Sequence, residues 1–196
     1  MRSHLLAATL TVPMAAASLA LVALPAVAAP VPTWSVDKAA SRLGFTGAMS
    51  GQAFNGGFGR WDAQIAFDPA NLAASHVTAV IDTASAKTGD QSRDEAMPTA
   101  DWFSVKAFPR ATFVSHKIVA AGPGRYVAQG DLTIRNVTRP VSLPFTLAIN
   151  GPTAKMTGSL PIDRSVFGVG QGQFKGGDTV ALKVQVNISI AAKRAN

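Results

Sequence analysis

The sequence predicts an all-β protein, an extended antiparallel barrel of about eight strands with a short helical cap over one end. Nearly every segment after Trp34 alternates apolar and polar residues, tight turns connect these segments, and only residues 83–109 break the rhythm. Because successive side chains of a strand point to opposite faces, a period of two gives one buried and one wetted face. The alternative architecture is a sandwich of two separate sheets.

Residues 1–28 have the features of a cleaved export signal. Arg2 gives a positive start, residues 5–24 form an apolar run, and Ala26-Val27-Ala28 resembles a small-residue cleavage site. An uncleaved membrane anchor is the alternative, since the apolar run approaches the length that spans a bilayer. We therefore expect an exported protein with a single domain over residues 29–196.

The composition narrows the chemistry of this domain. The chain has no cysteine, so it offers no disulfide, thiol nucleophile or cysteine-ligated metal. Without Arg2 the mature chain has 17 basic and 11 acidic residues, a formal charge of +6. These charges are dispersed, whereas nucleic-acid binding favours a clustered basic stripe with aromatic platforms. We expect no nucleic-acid partner, and a weak attraction to anionic lipid is the alternative use of the charge.

The first half of the domain predicts four strands. Trp34 begins the first, and residues 42–49, 61–67 and 77–81 alternate clearly enough to form the others. Residues 51–59 are rich in glycine with two interleaved phenylalanines, which predicts a bend or bulge where backbones approach closely.

The interruption at residues 83–109 predicts the helical cap. Two consecutive capping-box patterns begin at Thr88 and Ser92, and Pro98 limits how far a helix can extend. We expect a short helix at residues 90–97 and a turn at 99–103, which together close one end of the sheet.

The second half of the domain is the most regular part of the sequence. Residues 125–150 form two long alternating segments joined by a short polar connection, which predicts an antiparallel hairpin. Strands are also expected at residues 109–119, 154–162 and 180–190. The first of these divides its two faces less cleanly, and residues 163–177, with five glycines, predict a long loop.

No constellation of residues predicts catalysis or a metal site. Asp94-Glu95 is expected to be an exposed first turn of the helix, and the sequence has neither a G-x-S-x-G nor an H-E-x-x-H motif. His76 and His116 each lie alone on a predicted strand, which favours structural roles. The alternative is an inward-facing His116 that serves as an axial haem ligand.

Several segments, in order along the mature chain, resemble the YceI-like family of exported bacterial polyisoprenoid-binding proteins. The most specific is Gly130-Asp131-Leu132-Thr133-Ile134-Arg135-Asn136-Val137-Thr138-Arg139-Pro140-Val141, although the family often has glycine at the position of Asn136. Further segments that resemble the family are residues 34–37, 54–58, 65–69, 101–103, 108–115 and 163–168.

The resemblance implies a lipocalin-like barrel that holds a long isoprenoid chain, without established catalysis, in the periplasm. We therefore expect a non-catalytic protein that binds a polyisoprenoid or an isoprenoid quinone for carriage or storage. The family also implies b-type cytochrome partners and stress responses in some members. The alternative function is accordingly an interaction module for a membrane b-type cytochrome, with a filled barrel and no carried ligand. The sequence leaves the oligomeric state open.

The lipid-binding hypothesis assigns one set of residues to the channel lining and another to the head-group site. The expected channel lining was chosen by aromatic content or inward phase and comprises Phe45, Trp61, Ile65, Trp102, Phe113, Leu132, Leu143, Phe145 and Leu147. Arg164 and Lys175, within or beside the glycine-rich loop, are expected to bind the polar head group. The alternative for Arg164 is a structural pairing with Asp163 or Asp131.

Overall fold

The computed structural model describes residues 30–195, and its main feature is an antiparallel β-barrel closed by eight strands. The one α-helix in this part of the chain is α1 (Gln91–Ala96). The strands are β1 (Thr33–Val36), β2 (Arg42–Met49), β3 (Gln52–Phe58), β4 (Trp61–Ala66), β5 (His76–Asp82), β6 (Ala86–Lys87), β7 (Arg110–Ala120), β8 (Arg125–Ile134), β9 (Val137–Asn150), β10 (Thr153–Asp163) and β11 (Lys183–Arg194).

The shortest strand of the barrel, β1, closes it by pairing with a strand on each side. The hydrogen-bonded order is β1-β4-β5-β7-β8-β9-β10-β11, and β1 also pairs with β11. Trp34 in β1 lies opposite Ile65 of β4 on one side and Arg194 of β11 on the other. Because this circuit has no free edge, the predicted barrel is confirmed and the sandwich alternative is wrong.

A second group of strands extends from β11. The strand is long enough for two partners on one edge: residues 192–194 pair with β1 and residues 185–189 pair with β2. β2 continues into β3, and β3 pairs with β6. The prediction of a bend at residues 51–59 is therefore wrong. Gly56 lies beneath an aromatic ring, because a Cβ there would collide with the Phe45 ring of β2, and a Cβ on Gly57 would press against the backbone carbonyl of Leu43.

A β-bulge in β7 explains why its two faces were hard to separate in the sequence. The register with β8 shifts between Ser115 and Lys117, and His116 lies between them on the outside of the barrel. Gly130 lies opposite Ser115, and a Cβ there would collide with the backbone of Val114. The alternation is regular on each side of the bulge but changes phase across it.

The helical cap lies where it was predicted. The N-cap residue of α1 is Asp90, whose Oδ1 accepts a hydrogen bond from the backbone N–H of Arg93 at 3.0 Å. Backbone turns continue after the helix, with Phe103 N–H donating to the carbonyl of Met97. The final strand begins at Lys183 rather than at residue 180, because Val180 forms only an isolated bridge with Met49.

The predicted export signal, residues 1–28, lies outside the described residues. Between residues 30 and 195, no helix has both the length and the apolar character needed to span a bilayer. The same stretch contains no group of three or more histidine or carboxylate side chains placed to hold a metal ion.

Candidate ligand-binding cavity

The barrel encloses an elongated cavity of about 500 Å³. Every barrel strand contributes inward-facing side chains to its wall, because the period of two places alternate residues of each strand inside. The wall is apolar along the barrel, and its polar side chains are few. They are Thr83, Thr88, Asp90, Ser92, Arg93 and Arg164.

All nine side chains expected to line a channel lie on this wall. Eight are on strands β2, β4, β7, β8 and β9, and Trp102 reaches the wall from the turns that follow α1. Contact between these residues and a ligand remains a prediction. The sequence analysis left out equivalent wall residues of β5, β10 and β11, such as Ile81, Leu160 and Val186, although the same alternation identifies them.

One end of the barrel, which we call the closed end, is sealed by aromatic packing. Trp34 Nε1 donates to the carbonyl of Phe67 at 2.9 Å, and both side chains are buried. Phe67 meets Tyr126 edge-on at 5.2 Å between ring centroids, while Tyr126 stacks on Phe145 at 5.4 Å. These rings fill the space between strands, so the cavity ends against them.

The opposite end, which we call the open end, consists of α1, the turns at 97–109, the β2–β3 turn and residues 164–182. Here the cavity wall includes exposed side chains, among them Ser92 and Met49, which is 40% exposed. The cavity therefore reaches the surface beside α1. The β2–β3 turn is held to the 164–182 segment, since Ser50 N–H donates to the carbonyl of Thr179.

Arg164 is part of this wall but has no donor left for a ligand. It is 3% exposed, and its guanidinium donates to the backbone carbonyls of Val169, Gly170, Phe174, Gly176, Val180 and Ala181. Burial lowers the pKa of Arg164 from its ordinary value, and nearby Asp163 opposes that shift. The geometry makes Arg164 the cross-link of the 164–182 segment.

The two residues expected to bind a head group are therefore not brought together as a site. Lys175 is exposed on the 164–182 segment and does not line the cavity. Neither alternative partner of Arg164 forms an ion pair with it: Asp131 contacts His116, and Asp163 accepts hydrogen bonds from Ser165. Head-group binding by Arg164 remains an untested prediction that this network argues against.

Arg93 is a charged wall residue that the sequence analysis also missed. Its Nε donates to Thr88 Oγ1 at 3.3 Å, and its guanidinium lies over the Phe54 ring at 4.8 Å. Its Nη2 is 3.7 Å from Asp90 Oδ2, beyond hydrogen-bond distance. The capping-box pattern drew attention to Asp94, one residue along, while the contact with Phe54 depends on tertiary structure.

Asp94 has a local structural role. One carboxylate oxygen accepts from both the backbone N–H of Thr88 at 2.6 Å and its hydroxyl at 2.9 Å. The hydrogen bond from the backbone of Thr88 is the main reason that the pKa of Asp94 lies below its ordinary value. A carboxylate that is held ionised in this way fixes the start of α1 and is poorly suited to donate a proton.

His116 does not face the cavity, so the axial-ligand alternative is wrong. Its side chain is 60% exposed, and Nε2 lies 2.9 Å from Asp131 Oδ2 on the outer surface. Alternation from Ala111 and Phe113, which line the cavity, already places His116 outside. His76 is also exposed, and its Nδ1 lies 3.2 Å from the carbonyl oxygen of Ala74.

A closed antiparallel barrel around an apolar cavity defines the class of lipocalin-like binding proteins. The YceI-like domain family matches residues 34–192, and the chain belongs to that family. Family and fold together point to a binding protein rather than an enzyme.

Solved structures and sequence relatives agree with this assignment. BcnA of Burkholderia cenocepacia is 38% identical, with a TM-score of 0.79 over 81% of this chain and 100% of that one. A YceI protein of Campylobacter jejuni is 27% identical, with a TM-score of 0.61 over 72% and 85% of the two chains. A UPF0312 protein of Vibrio cholerae is 36% identical over 86 residues, 44% of this chain and 46% of that protein. The chain thus spans about half the length of the sequence relatives it matches.

Proposed function

We propose that this protein holds a long apolar lipid, a polyisoprenoid or an isoprenoid quinone, in the barrel cavity for carriage or storage in the periplasm. The observation that carries this proposal is the apolar cavity of about 500 Å³ that extends from the closed end to the surface at the open end. Its volume lies in the range of about 300–1,000 Å³ that is usual for small-molecule sites.

Small side chains keep the cavity open. Ala63 and Ala79 lie opposite each other on β4 and β5, and both are on the wall. Phe113 follows as the neighbour of Ala79 on β7. A close-packed core would place larger side chains at such positions, since protein interiors leave few voids wider than a water molecule. The pattern favours a space that a ligand completes.

Burial of the ligand chain supplies the binding free energy. Each methylene removed from water contributes about 0.8 kcal/mol, so several isoprene units offset the entropic cost of association. Burial of the lipid chain needs no polar partners along its length. This agrees with a cavity wall that has few polar side chains. Specificity along the barrel then depends on width and length.

The alternative, a docking module for a membrane b-type cytochrome with a filled barrel, has less support. A cavity of this size does not fit a barrel filled by its own side chains. A cytochrome partner remains a prediction that no feature of residues 30–195 favours.

Native mass spectrometry of protein purified from its own periplasm, followed by organic extraction, tests the proposal. The expected result is a stoichiometric, non-covalent mass that extraction releases as an isoprenoid. Consistently empty protein that also fails to take up isoprenoids in vitro would contradict it. The mass of the purified chain also shows where the export signal was cleaved. Protein found only in the cytoplasmic fraction would refute the proposed periplasmic location.

A further inference from the structure

Two arginines, Arg93 and Arg164, lie on the cavity wall within residues 30–195. They differ in how many of their guanidinium N–H groups are already hydrogen-bonded to the protein. The guanidinium of Arg164 donates hydrogen bonds to backbone carbonyls. Arg93 uses only Nε in a side-chain hydrogen bond, while Nη1 and Nη2 make none within residues 30–195. A guanidinium carries five N–H donors, so four of those on Arg93 make no hydrogen bond within residues 30–195, while Nη2 forms an ion pair with Asp90.

Arg93 is also held in place before any ligand arrives. Thr88 Oγ1 accepts from its Nε, and the Phe54 ring lies 4.8 Å from the guanidinium carbon. The side chain is 29% exposed, so it is only partly desolvated. Fixed geometry reduces the conformational entropy that is lost when a ligand binds.

The charges around Arg93 indicate which head group fits. Asp90 Oδ2 lies 3.7 Å from Nη2, and Asp90 itself is on the cavity wall. Asp94 is close by, with Lys87 Nζ 3.9 Å from its carboxylate. Two carboxylates thus balance two cations, and a phosphate would face a like charge on Asp90. A neutral oxygen acceptor takes hydrogen bonds from Arg93 without that repulsion.

We infer that the open end binds a neutral, acceptor-rich head group, a quinone ring rather than a phosphate, through the terminal N–H groups of Arg93. The inference rests on the proposed function, because it concerns the polar end of the same carried lipid. The exposed hydroxyl of Ser92, on the same wall, is an additional donor. The isoprenoid tail then extends from Arg93 towards the closed end.

Binding measurements on the full mature chain with three probes of equal isoprenoid length test this inference. The probes are a benzoquinone, a hydrocarbon and a monophosphate. Arg93→Gln should weaken quinone binding by about 10- to 100-fold, the range for hydrogen bonds to a charged group, and change hydrocarbon binding by less than about twofold. The matched control is Arg139→Gln, because Arg139 is exposed on β9 and does not line the cavity. It should change neither.

Asp90→Asn separates charge from helix capping, since asparagine caps as well as aspartate does. It should strengthen phosphate binding by at least about threefold and leave quinone binding nearly unchanged. If Arg93→Gln does not fold, Arg93→Lys keeps the charge and should still reduce the preference for quinone over hydrocarbon by at least about threefold.

The outcomes separate this inference from the proposed function. Wild-type protein that binds all three probes, with Arg93→Gln weakening quinone and hydrocarbon equally, overturns the role of Arg93 and leaves lipid carriage intact. Wild-type protein that prefers the phosphate over the quinone overturns the neutral head group. Wild-type protein that binds none of the probes overturns the proposed function and this inference together.

Discussion

The closed and open ends of the barrel are built by different physical means. At the closed end, the rings of Trp34, Phe67, Tyr126 and Phe145 pack directly against one another. At the open end, backbone segments are held by one buried guanidinium, that of Arg164, and by the α1 cap. Direct packing seals the closed end, whereas the open end leaves the cavity in contact with the surface.

The difference indicates how one small barrel combines stability with access. Apolar burial at the closed end contributes to stability without restricting the cavity mouth. The polar network at the open end fixes the shape of the mouth while exposing side chains such as Met49 and Ser92. Substitutions at the closed end should therefore change folding, and substitutions at the mouth should change binding.

The largest effect is expected from Trp34→Ala at the closed end. It removes a buried ring and its hydrogen bond to Phe67, and truncations of this kind cost about 3–5 kcal/mol. Met49→Ala at the mouth is the control and should cost less than about 1 kcal/mol, because Met49 is 40% exposed. Urea denaturation measures both, and equal losses would contradict the division between the two ends.

Arg164→Met should be the next most destabilising change, by about 2–4 kcal/mol, because several buried carbonyls lose their donor. Lys175→Met, on the same segment, should be nearly neutral, since Lys175 is exposed. Among folded molecules, Arg164→Met should change the affinities for neutral and anionic isoprenoids equally. A selective loss of anionic ligands with unchanged stability would restore the head-group role predicted from the sequence.

The smallest effect is expected from acid, and it should appear at the open end. The pKa of Asp62 is lowered by the hydrogen bond from Lys38, that of Asp82 by Arg60 and that of Asp94 by Thr88. All three lie towards the end of the barrel that α1 caps.

Because these pKa values are lower in the folded state than in the unfolded state, the carboxylates stabilise the fold above about pH 4. This contribution is lost as the pH falls through the folded-state values. Hydrogen exchange between pH 5 and pH 3 should therefore show earlier loss of protection in α1 and the adjoining ends of β4 and β5. Loss that begins around Trp34 would contradict the expectation.

The sequence predicted the barrel and the wall of its cavity because both follow from strict alternation. β9 is an example: Leu143, Phe145 and Leu147 face inward and Ser142, Pro144 and Thr146 face outward, as the period of two requires. β3 was missed because glycines usually break strands, and the sequence does not show that Gly56 lies beneath the Phe45 ring and Gly57 against the backbone of Leu43.

The roles of the charged residues could not be predicted in the same way. Arg164 and Arg93 are both arginines near glycine or polar segments, and sequence does not show which backbone carbonyls converge on a side chain. One extra residue in β7 moves the inward-facing phase from Ala111 and Phe113 to Ile118, so a single alternation does not describe the whole strand. Such facts depend on tertiary contacts between segments that are distant in sequence.

The most direct test of the account is isoprenoid binding by Leu143→Trp compared with Ser142→Trp. Leu143 faces the cavity, and its neighbour Ser142 faces solvent on the same strand. If the barrel carries a lipid, the added ring at Leu143 should occupy part of the lipid's space and weaken binding by at least about tenfold. It should destabilise the protein by less than the roughly 1–3 kcal/mol that overpacking of a filled core costs.

Ser142→Trp should leave binding and stability unchanged, because its ring points away from the cavity. Equal binding by both variants, together with a large loss of stability in Leu143→Trp alone, would show that the barrel is a packed core and contradict lipid carriage.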